Sequence, residues 1–128
     1  MIALMLRFGN GLETKVSLRD DTGTVSALLG AVPFRSVVHR WGDEVYFDAP
    51  FHSDREPDAR ADMEIGEVAF WPDGDAIAVF FGPTPASRTG RPRAYSPCNI
   101  LGKIQASPAQ LRSVEEGTTV EVVRPDPH

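Results

Sequence analysis

The sequence predicts one mainly β domain, a closed barrel of roughly eight strands that carries two short helices. Short stretches in which apolar and polar residues alternate recur along the chain, and a period of two is typical of a strand with one buried face. No regular alternation of strands with helices occurs, which disfavours a parallel doubly wound sheet. Few edge-blocking devices accompany the strands, and closing a sheet into a barrel removes its edges.

The first two strands are predicted to form a hairpin. Ile2, Leu4, Leu6 and Phe8 alternate with Ala3, Met5 and Arg7, and apolar residues alternate with polar ones over residues 12–18. Gly9, Asn10 and Gly11 lie between the two runs. Glycine and asparagine tolerate the positive φ angles that tight hairpin turns require. The other extended stretches follow in order. They cover residues 37–38, 45–47, 68–71, 76–81, 98–104 and 118–123.

Two short helices are indicated by their end signals. Thr22 or Thr24 can cap a helix whose apolar residues fall on one face, and Pro33 ends it. Ser107 followed by Pro108 predicts a second helix over residues 108–113, because proline suits the first helical position. Two polar stretches rich in proline, glycine and charge, residues 50–62 and 82–97, are predicted to be long loops.

Composition limits the classes of protein to consider. The chain has 128 residues, so residues 1–128 are expected to form a single domain. The net charge is -5, whereas proteins that bind nucleic acids usually carry an excess of basic residues, so no nucleic-acid partner is expected. One cysteine, Cys98, allows no intrachain disulfide and fits a reducing compartment. Without a signal-like or membrane-length apolar run, the expected location is the cytoplasm, with no membrane partner.

Three segments carry a resemblance to a known family: RWGDEVYF, FWPDGDAIAVFFGPTP and CNILGKI. Together they make the chain similar to the small prokaryotic cyclophilin-like proteins, an atypical branch of the cyclophilin fold without an established activity. The resemblance extends from the first hairpin to the last strand. It implies an eight-stranded barrel closed by helices at its ends, with a groove on the outside of the barrel.

The same resemblance implies what stands at the positions of the cyclophilin site. Matching the three segments places Val38 near the position of the catalytic arginine, Tyr46 at that of a glutamine and Cys98 at that of the pocket histidine. Phe81 takes the place of a phenylalanine of the hydrophobic pocket. The arginine and the histidine are therefore not kept, so the resemblance does not by itself imply prolyl isomerase activity.

Alternation along residues 44–47 supports a groove independently of the family. Val45 and Phe47 are expected to point into the barrel, which turns Glu44 and Tyr46 outward. One residue of each aromatic pair should also face out, and Trp71 and Phe81 are the expected walls. The full set of candidate groove residues is Arg40, Trp41, Glu44, Tyr46, Trp71, Phe81, Thr84 and Asn99.

The plain alternative is a solvated strand face with ordinary cross-strand pairs. Under that interpretation the two small polar candidates, Thr84 and Asn99, only satisfy loop backbone. No spacing of histidines or acids indicates a metal, and no glycine-rich phosphate loop indicates a cofactor, so none is expected. Cys98 is expected to be a buried, inert thiol.

Three functions follow, from different classes. The first is a non-catalytic module that binds a small molecule or a peptide segment in the groove. The alternative is an atypical peptidyl-prolyl isomerase, which rests on fold analogy. A second alternative is a hydrolase or lyase that uses Glu44 as a base, and this one predicts a raised carboxyl pKa in a water-poor cleft.

Overall fold

The computed structural model describes residues 2–125 and confirms a mainly β fold with two helices. The helices are α1 (Gly23–Ala31) and α2 (Pro108–Arg112). The strands are β1 (Ile2–Phe8), β2 (Glu13–Leu18), β3 (Phe34–Val37), β4 (His39–Arg40), β5 (Glu44–Asp48), β6 (Arg60–Asp62), β7 (Glu67–Trp71), β8 (Ala76–Phe80), β9 (Arg93–Ile104) and β10 (Thr119–Val123).

The strands form one antiparallel sheet in the order β3-β10-β1-β2-β9-β7-β8-β5-β4, and β6 pairs with β9 beside this path. This order has two ends, β3 and β4, so the structure does not show the predicted closed barrel. The two end strands are consecutive in the chain and only Val38 separates them. The described strands number ten instead of about eight, because Val38 divides one extended stretch and a predicted loop contains β6.

The predicted hairpin is confirmed. Strands β1 and β2 pair with Met5 opposite Lys15. In the turn Gly11 has a φ of 97° and donates its N–H to the Phe8 carbonyl oxygen, while the Asn10 side chain accepts from the Leu12 N–H. Glycine adopts a positive φ at the lowest steric cost because it has no Cβ, which explains its place here.

Both helix starts agree with their sequence signals. The Thr22 side chain caps α1 by accepting from the Val25 N–H. Ser107 and Gln110 form a capping box around the first turn of α2, whose first residue is Pro108. Thr24, the other candidate cap, is instead buried within α1.

Two apolar clusters lie on opposite faces of the β5-β8-β7-β9 part of the sheet. In β8 the side chains of Ile77 and Val79 belong to the main core, and those of Ala78 and Phe80 belong to the second cluster. The second cluster consists of Met63, Ala69, Ala78, Phe80, Ala94, Cys98 and Ile100, with Tyr46, Ala61 and Trp71 packed against it. Because both faces are covered, every residue of β8 is buried.

The two predicted loops are more structured than the sequence indicated. Residues 60–62 form β6, and β9 begins at Arg93 instead of Cys98. Proline is compatible with β9 because Pro97 lies in the irregular stretch where the register of β6 against β9 shifts. This early start of β9 brings Tyr95 onto the sheet.

Candidate functional site

A cavity of about 270 Å³ lies on the outer face of the sheet, over strands β5, β8, β7 and β9. Its floor is made of small residues: Ala78 lies opposite Tyr46 on β5, and Ala76 lies opposite Trp71 on β7. Alanine at both positions leaves room between the larger neighbours. The lining residues are Trp41, Glu44, Tyr46, Trp71, Ala76, Ala78, Phe80, Ala94, Tyr95 and Cys98.

Three aromatic rings form the walls. The Tyr95 ring meets the Trp41 ring edge-on at a centroid distance of 6.3 Å and the Trp71 ring edge-on at 6.2 Å. Both distances lie within the range favoured for aromatic pairs. The Trp71 indole N–H donates to the Ser96 hydroxyl oxygen at 2.6 Å, which fixes that wall. Tyr95 itself is 77% exposed, so a large apolar ring stands in solvent beside an apolar cavity.

The one carboxyl group in the cavity lining belongs to Glu44. Its residue is 7% exposed, and Oε1 is buried without a hydrogen-bond partner among the described residues. Burial raises the pKa of Glu44 to about 8, because removal from water disfavours the charged form. At neutral pH the group is therefore mostly protonated. It can donate one proton, or accept hydrogen bonds once it is ionised.

Cys98 lines the same cavity as a buried thiol. Its Sγ–H donates to the Ser96 carbonyl oxygen at 3.4 Å. Burial, followed by the negative charges of Glu44 and Asp73, raises the pKa of Cys98 to about 12. The thiol is buried as predicted, and because the thiolate is the nucleophile, the raised pKa disfavours nucleophilic chemistry at neutral pH.

The outward orientation expected for residues 44 and 46 is what the structure has. Val45 and Phe47 lie in the main core, while Glu44 and Tyr46 line the cavity. Trp41 and Trp71 line it as well. These four of the eight candidate groove residues are brought together, and whether they bind a ligand stays a prediction.

Phe81 requires a correction. It is fully buried in the main core, and Phe80 lines the cavity in its place. The reason is strand parity. Phe81 has the same parity as the inward Ile77 and Val79, whereas Phe80 shares the outward side with the small Ala78. The bulky, β-branched side chains of Ile77 and Val79 were the sequence signal for the inward face of the strand.

Arg40 also lies outside the cavity lining. Its guanidinium carbon sits 5.2 Å from the centre of the Phe81 ring, and its N–H groups donate to the carbonyl oxygens of Gly42 and Val114. These contacts tie the β4–β5 turn to the segment after α2. Arg40 therefore supports the turn that carries Trp41.

Thr84 and Asn99 hold loops, and neither is among the residues of the cavity lining. The Thr84 hydroxyl donates to the Arg93 carbonyl oxygen. Asn99 is fully buried, and its side chain accepts from the Glu56 N–H and donates to the hydroxyl of Thr24. Both contact sets match the plain alternative, in which small polar residues satisfy loop backbone.

Sequence reasoning missed Tyr95 and the alanine floor. Tyr95 lies in a segment predicted to be a loop, and an aromatic residue within that polar stretch was the available signal. Among residues 2–125, no group of three or more His, Cys, Asp or Glu side chains is arranged to hold a metal ion. No helix in the described part of the chain has the length and apolarity needed to cross a membrane.

Comparison with known proteins agrees with this architecture. A model of the Cyclophilin-like family matches residues 2–123. The solution structure of the hypothetical protein AF2241 from Archaeoglobus fulgidus is similar with a TM-score of 0.82 and 36% identity, over 97% of this chain and 95% of that one. No curated protein is significantly similar to the chain.

McbB, solved in complex with tryptophan, shares the fold with a TM-score of 0.68 at 15% identity. The match covers 98% of this chain and 45% of McbB, and at this identity the likeness concerns the fold alone. The family match and the archaeal structure both extend over nearly the whole chain, so the chain belongs to the cyclophilin-like family.

Proposed function

We propose that the outer-face cavity binds a small molecule, or one side chain of a peptide, that presents a flat apolar group. The observation that carries this proposal is the set of walls: Trp41, Trp71 and Tyr95 stand around a floor of alanines. Ligand sites are mostly apolar clefts with few placed polar groups. A volume of about 270 Å³ suits a single ring with a short substituent.

The exposed ring of Tyr95 supports the same proposal. A tyrosine that is 77% exposed beside an open apolar cavity leaves apolar surface in water, and such surfaces typically mark binding sites. A ligand ring placed between Trp41 and Trp71 covers that surface. Its affinity then comes from burial of apolar area and from ring-to-ring contacts.

The chain offers a direct test, because it contains two tryptophans and both line the cavity. Tryptophan fluorescence therefore reports on the groove. We expect 2-phenylethanol to change this fluorescence in a saturable way. Ala78→Leu fills the floor and should weaken binding at least about tenfold, since the added side chain occupies the ligand volume.

Ala109→Leu is the matched control, because Ala109 is an exposed residue of α2. It makes the same chemical change away from the groove and should leave binding unaltered. Equal affinity in the two variants would exclude this cavity as the binding site. Tryptophan, with which McbB was solved in complex, is a second probe, and its binding is measured by calorimetry because free tryptophan emits in the same range as the protein.

A second candidate function is favoured by Glu44. A hydrolase or lyase would use it as an acid or base, and a carboxyl pKa of about 8 lies near the working pH that such a group needs. At neutral pH the protonated form makes Glu44 an acid first and a base second. Turnover of a neutral ester substrate should fall at least about a hundredfold in Glu44→Gln while binding of the ester persists.

Three further proposals each rest on a single observation. Prolyl isomerase activity rests on the family resemblance, and a tetrapeptide isomerisation assay at high protein concentration tests it. Closure of the sheet into a barrel is supported by the chain continuity of β3 and β4 through Val38. A cytoplasmic location is supported by the single, buried cysteine.

A further inference from the structure

We propose that the ligand of this groove carries a protonated amine, whose N–H donates to the carboxyl group of Glu44 while its apolar body packs against the aromatic walls. The inference rests on the proposed binding function and names the class of ligand. It begins from a missing partner: Oε1 of Glu44 is buried and accepts no hydrogen bond within the described part of the protein. Buried polar atoms are nearly always paired, and Glu44 lines the cavity, so a donor from a ligand in the cavity would complete the pairing that the described chain leaves open.

The charges around Glu44 favour a cation. Among the described residues that line the cavity there is no lysine or arginine. The titratable groups that share the cavity are Tyr46 on the same strand and Tyr95 and Cys98 on β9, whereas β7 and β8 contribute only tryptophan, phenylalanine and alanine. Asp43, next in the chain, is already within 3.7 Å of Arg40 and 3.6 Å of Arg112.

The walls favour the same ligand. The rings of Trp41, Trp71 and Tyr95 present aromatic surface to the cavity. The face of an aromatic ring attracts a cation, most strongly when the site is shielded from water. An aromatic cage with a single acid therefore contains both elements that hold an ammonium group. An anionic ligand would find no basic side chain in the described lining.

A neutral ligand is the competing possibility, and it predicts the opposite pH dependence. The protonated Glu44 carboxyl can donate to a carbonyl oxygen, so such a ligand binds best below the Glu44 pKa of about 8 and loses affinity above it. An ammonium ligand pairs with the ionised carboxylate, so its affinity rises as the pH increases towards 8 and is level above it. Glutamine at position 44 keeps a donor for the carbonyl and cannot neutralise the ammonium.

The experiment compares 2-phenylethylamine with 2-phenylethanol, which have the same ring and differ in the charged group. Tryptophan fluorescence gives the affinity of each between pH 6 and pH 9, where an alkyl amine stays protonated. In the native protein we expect the amine to bind at least about tenfold more tightly than the alcohol at pH 8.5. The amine affinity should fall about tenfold per pH unit below 8, and the alcohol affinity should hardly change.

Glu44→Gln should remove both the preference for the amine and its pH dependence while the alcohol still binds. Glu115→Gln, an exposed acid in the segment between α2 and β10, is the matched control and should change neither. Calorimetry at pH 7 in two buffers of different ionisation enthalpy should show close to one proton released per bound amine, because the pairing ionises Glu44. That readout is independent of fluorescence.

Three results would overturn the inference. Equal affinity for the amine and the alcohol at pH 8.5 would exclude recognition of the ammonium group. An amine affinity that Glu44→Gln leaves unchanged would exclude its pairing with Glu44. An amine affinity that falls as the pH rises would also overturn it. The same fall in the affinity of the neutral amide 2-phenylacetamide would then identify a carbonyl ligand instead. These outcomes leave the proposed groove intact, whereas failure of both the amine and the alcohol to bind overturns the groove and the inference together.

Discussion

Two buried carboxyl groups on this sheet, Glu44 at the groove and Glu67 at the start of β7, have opposite surroundings. They are almost equally hidden, at 7% and 3% exposure. Both Oε atoms of Glu67 accept hydrogen bonds from the Arg60 guanidinium, at 2.7 and 2.6 Å, and Oε1 also accepts from the Glu64 N–H. Glu44 has an oxygen without any partner among the described residues.

The difference appears in the proton affinity of the two groups. Burial alone would raise the pKa of Glu67, but the hydrogen bonds from Arg60 and from the Glu64 N–H outweigh it, so its pKa lies below the ordinary value. For Glu44 burial acts alone and raises the pKa to about 8. Glu67 therefore has the donors that a buried carboxylate needs to stay ionised, whereas the unpaired oxygen of Glu44 is the feature on which the proposed ligand contact rests.

The largest expected effect is on the pH dependence of stability at Glu44. Because the folded state favours the neutral carboxyl, its contribution is fully present below the ordinary pKa of 4.5 and is lost as the pH rises through 8. The expected loss is roughly 3–4 kcal/mol, since one pKa unit corresponds to about 1.4 kcal/mol and the open cavity reduces the full value.

Urea unfolding of the native protein and Glu44→Gln at pH 5 and pH 9 measures this loss. The variant should be nearly as stable as the native protein at pH 5 and clearly more stable at pH 9. Parallel curves for the two proteins over this range would mean that Glu44 titrates like an exposed glutamate.

The second prediction concerns the paired acid. Arg60→Met keeps most of the side-chain volume and removes both guanidinium donors, which leaves the Glu67 carboxylate buried with a single backbone donor. We expect a loss of about 2 kcal/mol at pH 7, because the buried carboxylate loses its charged donors, while exposure of the Arg60 side chain keeps the loss below that of a fully buried ion pair.

Here the pH dependence has the opposite sign. The pairing lowers the pKa of Glu67, so its stabilisation is present above the unfolded-state pKa and is lost as the pH falls through the folded-state value. The gap between Arg60→Met and the native protein should therefore narrow in acid. Denaturant unfolding at pH 7 and pH 3 measures it, and a gap that widens in acid would contradict the assignment.

A smaller effect is expected at the groove wall. Ser96→Ala removes the acceptor of the Trp71 indole N–H and should destabilise the protein by about 1 kcal/mol. Because Trp71 then has more freedom, affinity for 2-phenylethanol should also fall. Ser107→Ala removes a hydrogen bond at the α2 cap, away from the groove, and should cost similar stability with unchanged affinity. Unchanged affinity for 2-phenylethanol in Ser96→Ala would contradict a role in binding for the Trp71 ring that this hydrogen bond fixes.

The smallest effect is at a solvent-exposed pair. Hydrogen bonds to Asp75 and then to Asp54 raise the pKa of His52. Asp75→Asn should lower that pKa towards its ordinary value of 6.5 with little change in stability, because surface ion pairs contribute little. Titration of the His52 ring protons by NMR measures it. An unchanged pKa would show that Asp75 does not interact with the ring in solution.

Local sequence signals were sufficient wherever the structure depends on neighbours in the chain. The glycine turn of the first hairpin, a threonine cap at Thr22 or Thr24 and the proline start of α2 were predicted and are present, with Thr22 as the cap. The outward position of Glu44 also followed from alternation within one strand. Each of these features is determined by backbone preferences or by period-two geometry over a few residues.

Pairing between distant segments was not available to the same reasoning. Arg60 lies only seven residues before Glu67, but it stood in a predicted loop, and its position comes from the pairing of β6 with the distant β9, where Arg60 lies opposite Cys98. Tyr95 reaches the groove because β9 extends past a proline. Phe81 is a different kind of error, because its inward position follows from the parity of Ile77 and Val79 in the neighbouring strand positions.

The sequence by itself determined a mainly β fold with two capped helices, the first hairpin and the side of the sheet that carries Glu44. The tertiary structure alone decided which buried acid receives a donor and which aromatic rings surround the cavity. The physical reason is that local preferences act over a few residues, whereas charge pairing and burial depend on atoms from different strands, whose relative positions are set by the pairing of the whole sheet.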